Sequence, residues 1–343
     1  MSPASPMRLV PPSPALRDRV PVRGPAAATT ATLTFAEEVA ALLRDRPRRL
    51  PAHALYDALG SSLFDAICHL PWYPITRAET ALLQTHRLAI LEAAGRRPRV
   101  VELGPGNGEK LATLMQDGSG DDPAFDVHLV DVSATALDAA SARLRRLPGV
   151  AVHTHVARYE VGLREVTLSR TAGETLLVAF LGSNIGNFDP PEAAALLQDI
   201  RGAMERGDTL LIGADLVKPV EQLQAAYDDP LGVTAAFNCN LLVRLNRELG
   251  ADFDLEHFAH DARWNSRAQR MEMHLVSLAQ QRVHVPGAKL VLDFHAGETI
   301  WTESSYKYES ATFGETLWEA GFSTIASWQD QDAGFLLTLA AAR

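Results

Sequence analysis

Cysteine is scarce in this chain of 343 residues, which contains only Cys68 and Cys239. Two cysteines are too few for a disulfide framework, and they do not form the C-x-x-C pair of a zinc motif. We therefore expect the protein to work in a reducing cytoplasm. No apolar run approaches the roughly 18 residues of a membrane-spanning helix, so we expect no association with a membrane.

Positive charge is also in short supply, because 32 lysines and arginines stand against 42 acidic residues and leave a formal net charge of -10. Non-specific binding of nucleic acid depends on basic side chains that displace counterions, so we expect no nucleic-acid partner. The sequence contains no Walker A motif and no convincing Ser-His-Asp or Cys-His combination. Residues 1–34 are rich in Pro, Ala and Arg without any periodicity, which predicts a disordered tail.

Apolar runs in the middle of the chain alternate with helical segments. The strand-like runs VVEL, VHLV, LLVAFL and TLLIGADL are interleaved with helices predicted at Ala134–Arg146 and Pro191–Arg206. This alternation predicts an α/β fold with a parallel sheet. The helices predicted ahead of the sheet are Phe35–Leu43, Ala52–Leu70 and Thr76–Ala94.

The pattern changes between Lys218 and Glu298 and indicates a smaller inserted α+β module. Its predicted elements are the helices Val220–Tyr227, Thr234–Glu248 and Leu255–Ala259 and the strands MEMHLVSL and AKLVLDF. A helix at Ala311–Ala320 and a strand at Phe335–Ala340, separated by turn residues, should then complete the first sheet. We therefore predict a cofactor domain over 79–218 and 308–343, and a substrate domain over 35–78 and 219–307.

Glycines follow the first predicted strand in Val100–Lys110, VVELGPGNGEK, and the second strand ends at Asp131. Such a turn lets a ligand approach the backbone, and an acidic residue at the second strand end suits ribose hydroxyls. The third small position of a dinucleotide motif is occupied by Glu109, which argues against a pyrophosphate. Together with Glu102, the turn favours S-adenosylmethionine over a nicotinamide cofactor.

Other segments suggest a substrate pocket. The loop FLGSNIGNFDP at Phe180–Pro190 follows a strand and should face the cofactor. In TESSYKY, strand alternation would place Glu303 and Ser305 on one face, where they could read the two nitrogens of an imidazole. His257 and His260 have helical i, i+3 spacing but no third ligand, so we interpret them, like His153 and His155, as solvated and predict no metal site.

The ordered motifs resemble one family, the S-adenosylmethionine-dependent histidine Nα-methyltransferases of ergothioneine biosynthesis, which trimethylate histidine to hercynine. The resemblance runs from about Phe35 to the C-terminus. It is carried by YDxxGSxLF, LPxY…TRAE, VELGPGNGEK, VDVS, FLGSNIGNF, DLVKP, AAYDD, GVTAAFN, NLLxRLNRELGADF, EMHLVS and GETIxTExSYKY. It implies a Rossmann-like class I methyltransferase sheet with an inserted substrate domain, and we expect a monomer.

The resemblance also implies roles for individual residues. Tyr56 and Asn187 correspond to groups that hold the reacting nitrogen. The other substrate contacts it implies are Tyr73, Gly182, Tyr227, Met273, Glu303 and Ser305, with Glu303 and Ser305 on the imidazole. The cofactor contacts it implies are Glu102, Gly104, Gly106, Lys110, Asp131, Arg158 and Tyr159.

Two departures from the family pattern leave alternatives open. Members commonly have EYYPTR where this chain has WYPITR, with Pro74 after Tyr73, and an Asp-aromatic pair where this chain has Arg158-Tyr159. Arginine cannot accept a hydrogen bond from adenine, so either a backbone carbonyl substitutes or affinity for the cofactor is weakened. The alternative functions are Nα-methylation of another amino acid or amine, and a noncatalytic partner that binds ligands without turnover.

Overall fold

The computed structural model describes residues 33–95, 98–116 and 125–343, so the tail predicted over 1–34 lies almost entirely outside the described residues. Helical segments surround the sheets in this part of the chain. They are α1 Phe35–Arg44, α2 Ala58–Cys68, α3 Ile75–Ala94, α4 Glu109–Met115, α5 Ala134–Leu144, α6 Tyr159–Leu168, α7 Pro190–Ala203, α8 Val220–Tyr227, α9 Val233–Leu249 and α10 Ser310–Glu319.

The strands of the described residues divide between two sheets and a two-stranded ribbon. They are β1 Arg48–Arg49, β2 Arg99–Leu103, β3 Phe125–Asp131, β4 Val150–Val156, β5 Leu176–Phe180, β6 Thr209–Asp215, β7 Phe258–Asn265, β8 Arg270–Ser277, β9 Gln281–Val285, β10 Leu290–Phe294, β11 Thr299–Tyr306, β12 Phe322–Asp330 and β13 Phe335–Ala342.

The larger sheet has seven strands in the order β12-β13-β6-β5-β2-β3-β4. Strands β2 to β6 are parallel, and β13 and β12 join antiparallel at one edge. Every residue of β2, β5 and β6 is buried, because helices cover both faces of the sheet. The predicted α/β class is therefore confirmed, and the carboxyl ends of the parallel strands form one edge.

The smaller sheet has four strands in the order β1-β11-β8-β7, and the ribbon pairs β9 with β10. Short β1 lies parallel to β11, while β8 is antiparallel to both β11 and β7. Residues Phe35–Arg343 form one compact unit, with Leu216 bridged to Tyr308 where the two sheets meet. The Lys218–Glu298 region thus supplies β7, β8 and the ribbon, whereas β1 and β11 of this sheet come from outside it. The exact domain boundaries stay a prediction.

The helix predicted over Ala52–Leu70 is broken, which corrects that expectation. A short 3₁₀ turn covers Ala52–Leu55, and α2 begins after Asp57, whose carboxylate accepts a hydrogen bond from the Gly60 amide at 2.8 Å. Aspartate stabilises a helix start by satisfying a free amide, so a new helix begins here. The break leaves Tyr56 between the two helical segments.

Two further predictions near strand edges were wrong. The helix predicted at Leu255–Ala259 is a 3₁₀ turn followed by β7, since five residues carry too little periodicity to resist pairing along the whole of β8. The turn residues predicted between α10 and β13 contain β12, an edge strand with Ile325 exposed. None of the helices among the described residues is long and apolar enough to span a bilayer.

A buried carboxylate stabilises the amino end of β5. Asp208 accepts two hydrogen bonds from Arg170, both at 2.7 Å, and one each from the amides of Leu176 and Glu205. Replacing it by alanine leaves two amides without this acceptor and leaves the Arg170 guanidinium, among the described residues, with only the Glu174 carbonyl oxygen as a hydrogen-bond acceptor. We expect Asp208→Ala to lower the free energy of unfolding by about 3–5 kcal/mol, measured by urea denaturation.

The matched control is Asp199→Ala, which breaks an exposed pair with Arg164 at 3.7 Å. We expect a change of less than about 0.5 kcal/mol there. Equal losses in the two variants would contradict the importance of the buried carboxylate.

Candidate active site

The glycine turn after β2 forms an open cradle at the carboxyl edge of the large sheet. Gly104, Gly106 and Gly108 all have positive φ, at 73°, 55° and 76°. A Cβ on Gly104 would lie 2.8 Å from the Tyr159 hydroxyl and 2.7 Å from Asn184 Nδ2, whereas a Cβ on Gly106 would meet nothing within 4 Å. The turn therefore needs glycine and leaves space above Gly106 for a ligand.

Two carboxylates flank this cradle at the ends of β2 and β3. Burial raises the pKa of Glu102 well above its ordinary value, and its Oε2 atom has no hydrogen-bond partner. Burial also raises the pKa of Asp131, whose Oδ1 accepts a hydrogen bond from the Ser133 amide at 2.8 Å. A buried carboxylate oxygen without a partner fits a bound ligand that brings a hydrogen-bond donor or a positive charge.

Lys110 is held by a buried carboxylate beneath the cradle. Its ammonium lies 2.7 Å from Glu79 Oε2, and Glu79 also accepts hydrogen bonds from the Gly182 amide at 2.9 and 2.8 Å. Burial lowers the pKa of Lys110, but Glu79, together with Cys68 and Glu102, raises it, and the net shift is upward. This pair joins α3, α4 and the loop after β5, and Lys110 supports the loop from below.

Arg158 and Tyr159 start helix α6 beside the cradle, but their side chains behave differently. The Arg158 side chain is 72% exposed and pairs with Glu160 at 2.9 Å. The Tyr159 ring packs edge-on against Phe180, and its hydroxyl lies next to Gly104. Of the two, Tyr159 is the one directed at the cradle.

The residues predicted to contact substrate line a single pocket between the two sheets. These residues are Tyr56, Tyr73, Gly182, Asn187, Tyr227, Met273, Glu303 and Ser305. Ser183 and Asn184 of the predicted loop Phe180–Pro190 also line this pocket. Its other lining residues include Phe64, Thr234 and Phe237, to which the sequence reasoning gave no role. The pocket therefore has more lining residues than the motifs indicated.

Aromatic rings make up much of the pocket wall. Tyr56 contacts Phe64 and Phe237 edge-on, with ring centroids 5.5 and 5.6 Å apart. Tyr73 contacts Tyr227 edge-on at 6.4 Å. Such rings exclude water and can attract a methylated ammonium group.

Glu303 lies on β11 and is directed into this apolar surrounding. Burial raises its pKa to about 7, although Lys307 and the Tyr56 hydroxyl, 3.5 Å from Oε1, both act to lower it. A β-bulge between Trp301 and Glu303 shifts the register so that Glu303 pairs with Met273 of β8. Strand alternation then directs Ser305 to the same pocket.

A buried polar network lies behind Ser305. The Lys307 ammonium lies 2.9 Å from Asp215 Oδ2 and donates to the hydroxyls of Tyr227 and Ser305, both at 2.8 Å. The Tyr227 hydroxyl in turn donates to Ser305 Oγ at 2.7 Å. The network connects the end of β6 with the end of β11.

The loop after β5 brings Asn184 and Asn187 to the pocket. Ser183 has a φ of 58°, unusual for a residue with a side chain, and its hydroxyl accepts a hydrogen bond from the Asp215 amide at 2.9 Å. A Cβ on Gly186 would lie 2.7 Å from the Tyr306 carbonyl oxygen. The loop therefore packs tightly on the end of β11, and its conformation is imposed by these contacts.

Sequence reasoning missed the charged residues Lys307, Asp215 and Glu79, all of which are buried. Each lies inside a quoted motif, SYKY, DLVKP or TRAE. Their charge was visible in these motifs, but Lys307 and Asp215 are distant from each other in the sequence, as are Glu79 and Lys110, and only folding brings each pair together.

His257 and His153 are exposed, as expected, but His260 differs from the solvated helix face that was predicted. His260 lies in β7, where its ring accepts from Asn238 Nδ2 at 2.9 Å and donates to the Tyr227 carbonyl oxygen at 2.8 Å. On β3 and β4, Asp126, His128 and His153 have ligand atoms within 4.8 Å of one another. Arg99 lies 3.1 Å from the same Asp126 carboxylate and neutralises it.

The parallel sheet, the glycine cradle at the end of its first strand and the adjoining pocket define a class I methyltransferase. The model of the histidine-specific, S-adenosylmethionine-dependent methyltransferases matches residues 35–342, and the chain belongs to this family. Membership confirms the predicted family, the enzyme class and S-adenosylmethionine as the cofactor.

Individual relatives agree with this assignment. The histidine N-alpha-methyltransferase of Mycobacterium tuberculosis is 42% identical over 310 residues, which cover 90% of this chain and 95% of the relative. That of Mycolicibacterium smegmatis is 40% identical over 321 residues, covering 92% and 97%. Ergothioneine biosynthesis protein 1 of Neurospora crassa is 26% identical over 293 residues, covering 83% of this chain and 32% of the relative.

The raised pKa of Glu303 predicts a pH-dependent stability. Between its ordinary value of 4.5 and about 7, the native state holds a proton that the unfolded state releases. The free energy of unfolding should therefore fall as the pH rises through this range, by up to about 3 kcal/mol. Glu303→Gln removes the titrating group. The free energy of unfolding of this variant should therefore equal that of the wild type at pH 4 and exceed it by up to about 3 kcal/mol at pH 8.

Urea unfolding of the ligand-free protein at several pH values measures this difference. The exposed Glu309→Gln should follow the wild-type profile and is the control. Parallel profiles of wild type and Glu303→Gln would rule out a raised pKa for this carboxyl group.

Proposed function

We propose that the protein transfers methyl groups from S-adenosylmethionine to the α-amino nitrogen of L-histidine, up to trimethylhistidine, as in ergothioneine biosynthesis. The observation that carries this proposal is the pair Glu303 and Ser305 on one wall of a buried aromatic pocket. A carboxylate and a hydroxyl can pair with the two ring nitrogens of imidazole, one as acceptor and one as donor. The names of the relatives support the same substrate.

The pocket also disfavours other amino acids. A purely apolar side chain would offer no donor to the buried Glu303 carboxylate and no acceptor to the Ser305 hydroxyl. The free-energy cost of leaving such groups without a ligand partner makes the discrimination strong. An indole ring offers one donor and no acceptor nitrogen. We therefore propose that Glu303 governs selection of the substrate, while Met273 and Tyr227 shape the surrounding wall.

The reacting amine needs groups that orient it. We propose that Tyr56, Tyr73, Asn187 and Gly182 surround the amino and carboxylate ends of the substrate. Burial, aided by Glu303, raises the pKa of Tyr56 well above its ordinary value, so its phenol stays neutral. Because the Tyr56 hydroxyl donates its hydrogen to Glu303, the lone pairs of its oxygen can accept a hydrogen bond from the substrate amine. The ammonium form of the substrate loses one proton to solvent before the methyl group is transferred.

The cradle holds the cofactor in this proposal. Glu102, Gly104, Gly106, Asp131 and Tyr159 are its direct contacts, whereas Lys110 and Arg158 act indirectly, because Lys110 pairs with Glu79 and Arg158 with Glu160. When bound, S-adenosylmethionine supplies an electrophilic methyl group on a positively charged sulfur. The protein's own part is then to hold the neutral amine in line and to exclude water.

We further propose that the large sheet forms the cofactor domain and the small sheet, with α1, α2, α8 and α9, the substrate domain. The protein should act as a monomer in the cytoplasm. The two free cysteines are typical of a reducing compartment. Light scattering during size-exclusion chromatography measures the oligomeric state.

The direct test incubates the protein with S-adenosylmethionine and each of the twenty amino acids and reads product masses. We expect trimethylated histidine as the main product, and Glu303→Ala should raise the KM for histidine at least 10-fold. The exposed Glu309→Ala should behave as the wild type. Methylation of a different amino acid, or binding of both ligands without a product, would overturn this proposal.

The cofactor site has its own test. Asp131→Ala should weaken S-adenosylmethionine binding about 10-fold or more, because it removes the acceptor placed for the ribose hydroxyls. Isothermal titration calorimetry measures the affinity, and Asp138→Ala, on the exposed side of α5, is the control. Unaltered affinity in Asp131→Ala would mean that the adenosine binds elsewhere.

A further inference from the structure

The Lys307 ammonium makes three polar contacts inside the protein. It donates hydrogen bonds to the hydroxyls of Tyr227 and Ser305, both at 2.8 Å, and forms an ion pair with Asp215 Oδ2 at 2.9 Å. The residue is 3% exposed and lies behind the wall formed by Tyr227 and Ser305. It therefore acts on any ligand in the pocket through these two hydroxyls.

The hydrogen count on the two hydroxyls follows from this arrangement. Neither hydroxyl can donate to an ammonium, and only one hydrogen fits between them, donated by Tyr227 to Ser305 at 2.7 Å. The Ser305 oxygen then accepts from both Tyr227 and Lys307, which occupies its two lone pairs. Its own hydrogen is left over, so Ser305 faces the pocket as a donor only.

We propose that Lys307 is a positioning residue that determines specificity by keeping Ser305 a hydrogen-bond donor. This inference rests on the proposed function. The pocket then selects a neutral heterocycle whose acceptor nitrogen faces Ser305. The positive charge of Lys307 behind this wall also opposes an imidazolium at the same edge. Glu303 pairs with the other side of the ring.

The chain contains a matched control for Lys307. Lys218 pairs with the other oxygen of the same carboxylate, Asp215 Oδ1, at 2.5 Å, and its second contact is the Ala333 carbonyl oxygen. Lys307→Met and Lys218→Met each remove one cation from Asp215. Only Lys307→Met also removes the donors to Ser305 and Tyr227.

The test measures kcat/KM with two kinds of histidine analogue. Thiazolylalanine has a ring nitrogen that only accepts, pyrrolylalanine has one that only donates, and two ring isomers of each place that nitrogen at either imidazole position. We compare the two analogues whose nitrogen faces Ser305, a position identified as that of the thiazolylalanine isomer with the higher kcat/KM. For this pair we expect the wild type to prefer thiazolylalanine over pyrrolylalanine at least 10-fold. Lys307→Met should bring the ratio near one and raise the KM for histidine more than it lowers kcat, whereas Lys218→Met should keep the wild-type ratio.

The outcomes separate this inference from the proposed function. A wild type that does not methylate histidine overturns the proposed function. A wild type that methylates histidine but accepts pyrrolylalanine equally well, or a Lys307→Met variant that keeps the preference, overturns the role of Lys307 alone. If Lys307→Met does not fold, the double variant Asp215→Asn/Lys307→Met removes both charges together, and Asp215→Asn is its control.

Discussion

The arrangement of the pocket depends on one buried ion pair between Asp215 and Lys307. Asp215 is the last residue of β6 in the large sheet, and Lys307 directly follows β11 of the small sheet. Removing one partner of such a pair typically costs about 3–5 kcal/mol, because the other charge stays buried. The pair therefore ties the sheet that carries the cradle to the strand that carries Glu303 and Ser305.

The surroundings of this pair explain how a small pocket can be selective. Aromatic rings exclude water, so the hydrogen of the Ser305 hydroxyl and the Glu303 carboxylate need partners on the ligand. The pKa of Glu303, raised to about 7 by burial, records the same cost of an isolated charge. Selection of the substrate and the raised pKa of Glu303 thus have the same cause, which is the removal of a few polar groups from water into apolar surroundings.

Much of the fold could be predicted because the signals were local. β5 is apolar at every position, β2 and β6 are apolar along their central residues, and the glycines of the cradle stand where φ is positive. The failures were also local. The helix predicted at Leu255–Ala259 covered only the start of β7, and the segment of β12 was predicted as a turn. An edge strand half exposed to water has neither a continuous apolar run nor clear periodicity.

The sequence by itself determined the family, the parallel sheet, the cofactor turn and the alternation that puts Glu303 and Ser305 on one face. Only the tertiary structure decided that Lys307 and Asp215 meet, that Lys110 pairs with Glu79, and that His260 holds the backbone at Tyr227. The physical reason is the separation along the chain over which each effect acts. Backbone preference and side-chain alternation act between neighbours in the chain, whereas burial and pairing of charges depend on which distant segments the fold brings into contact.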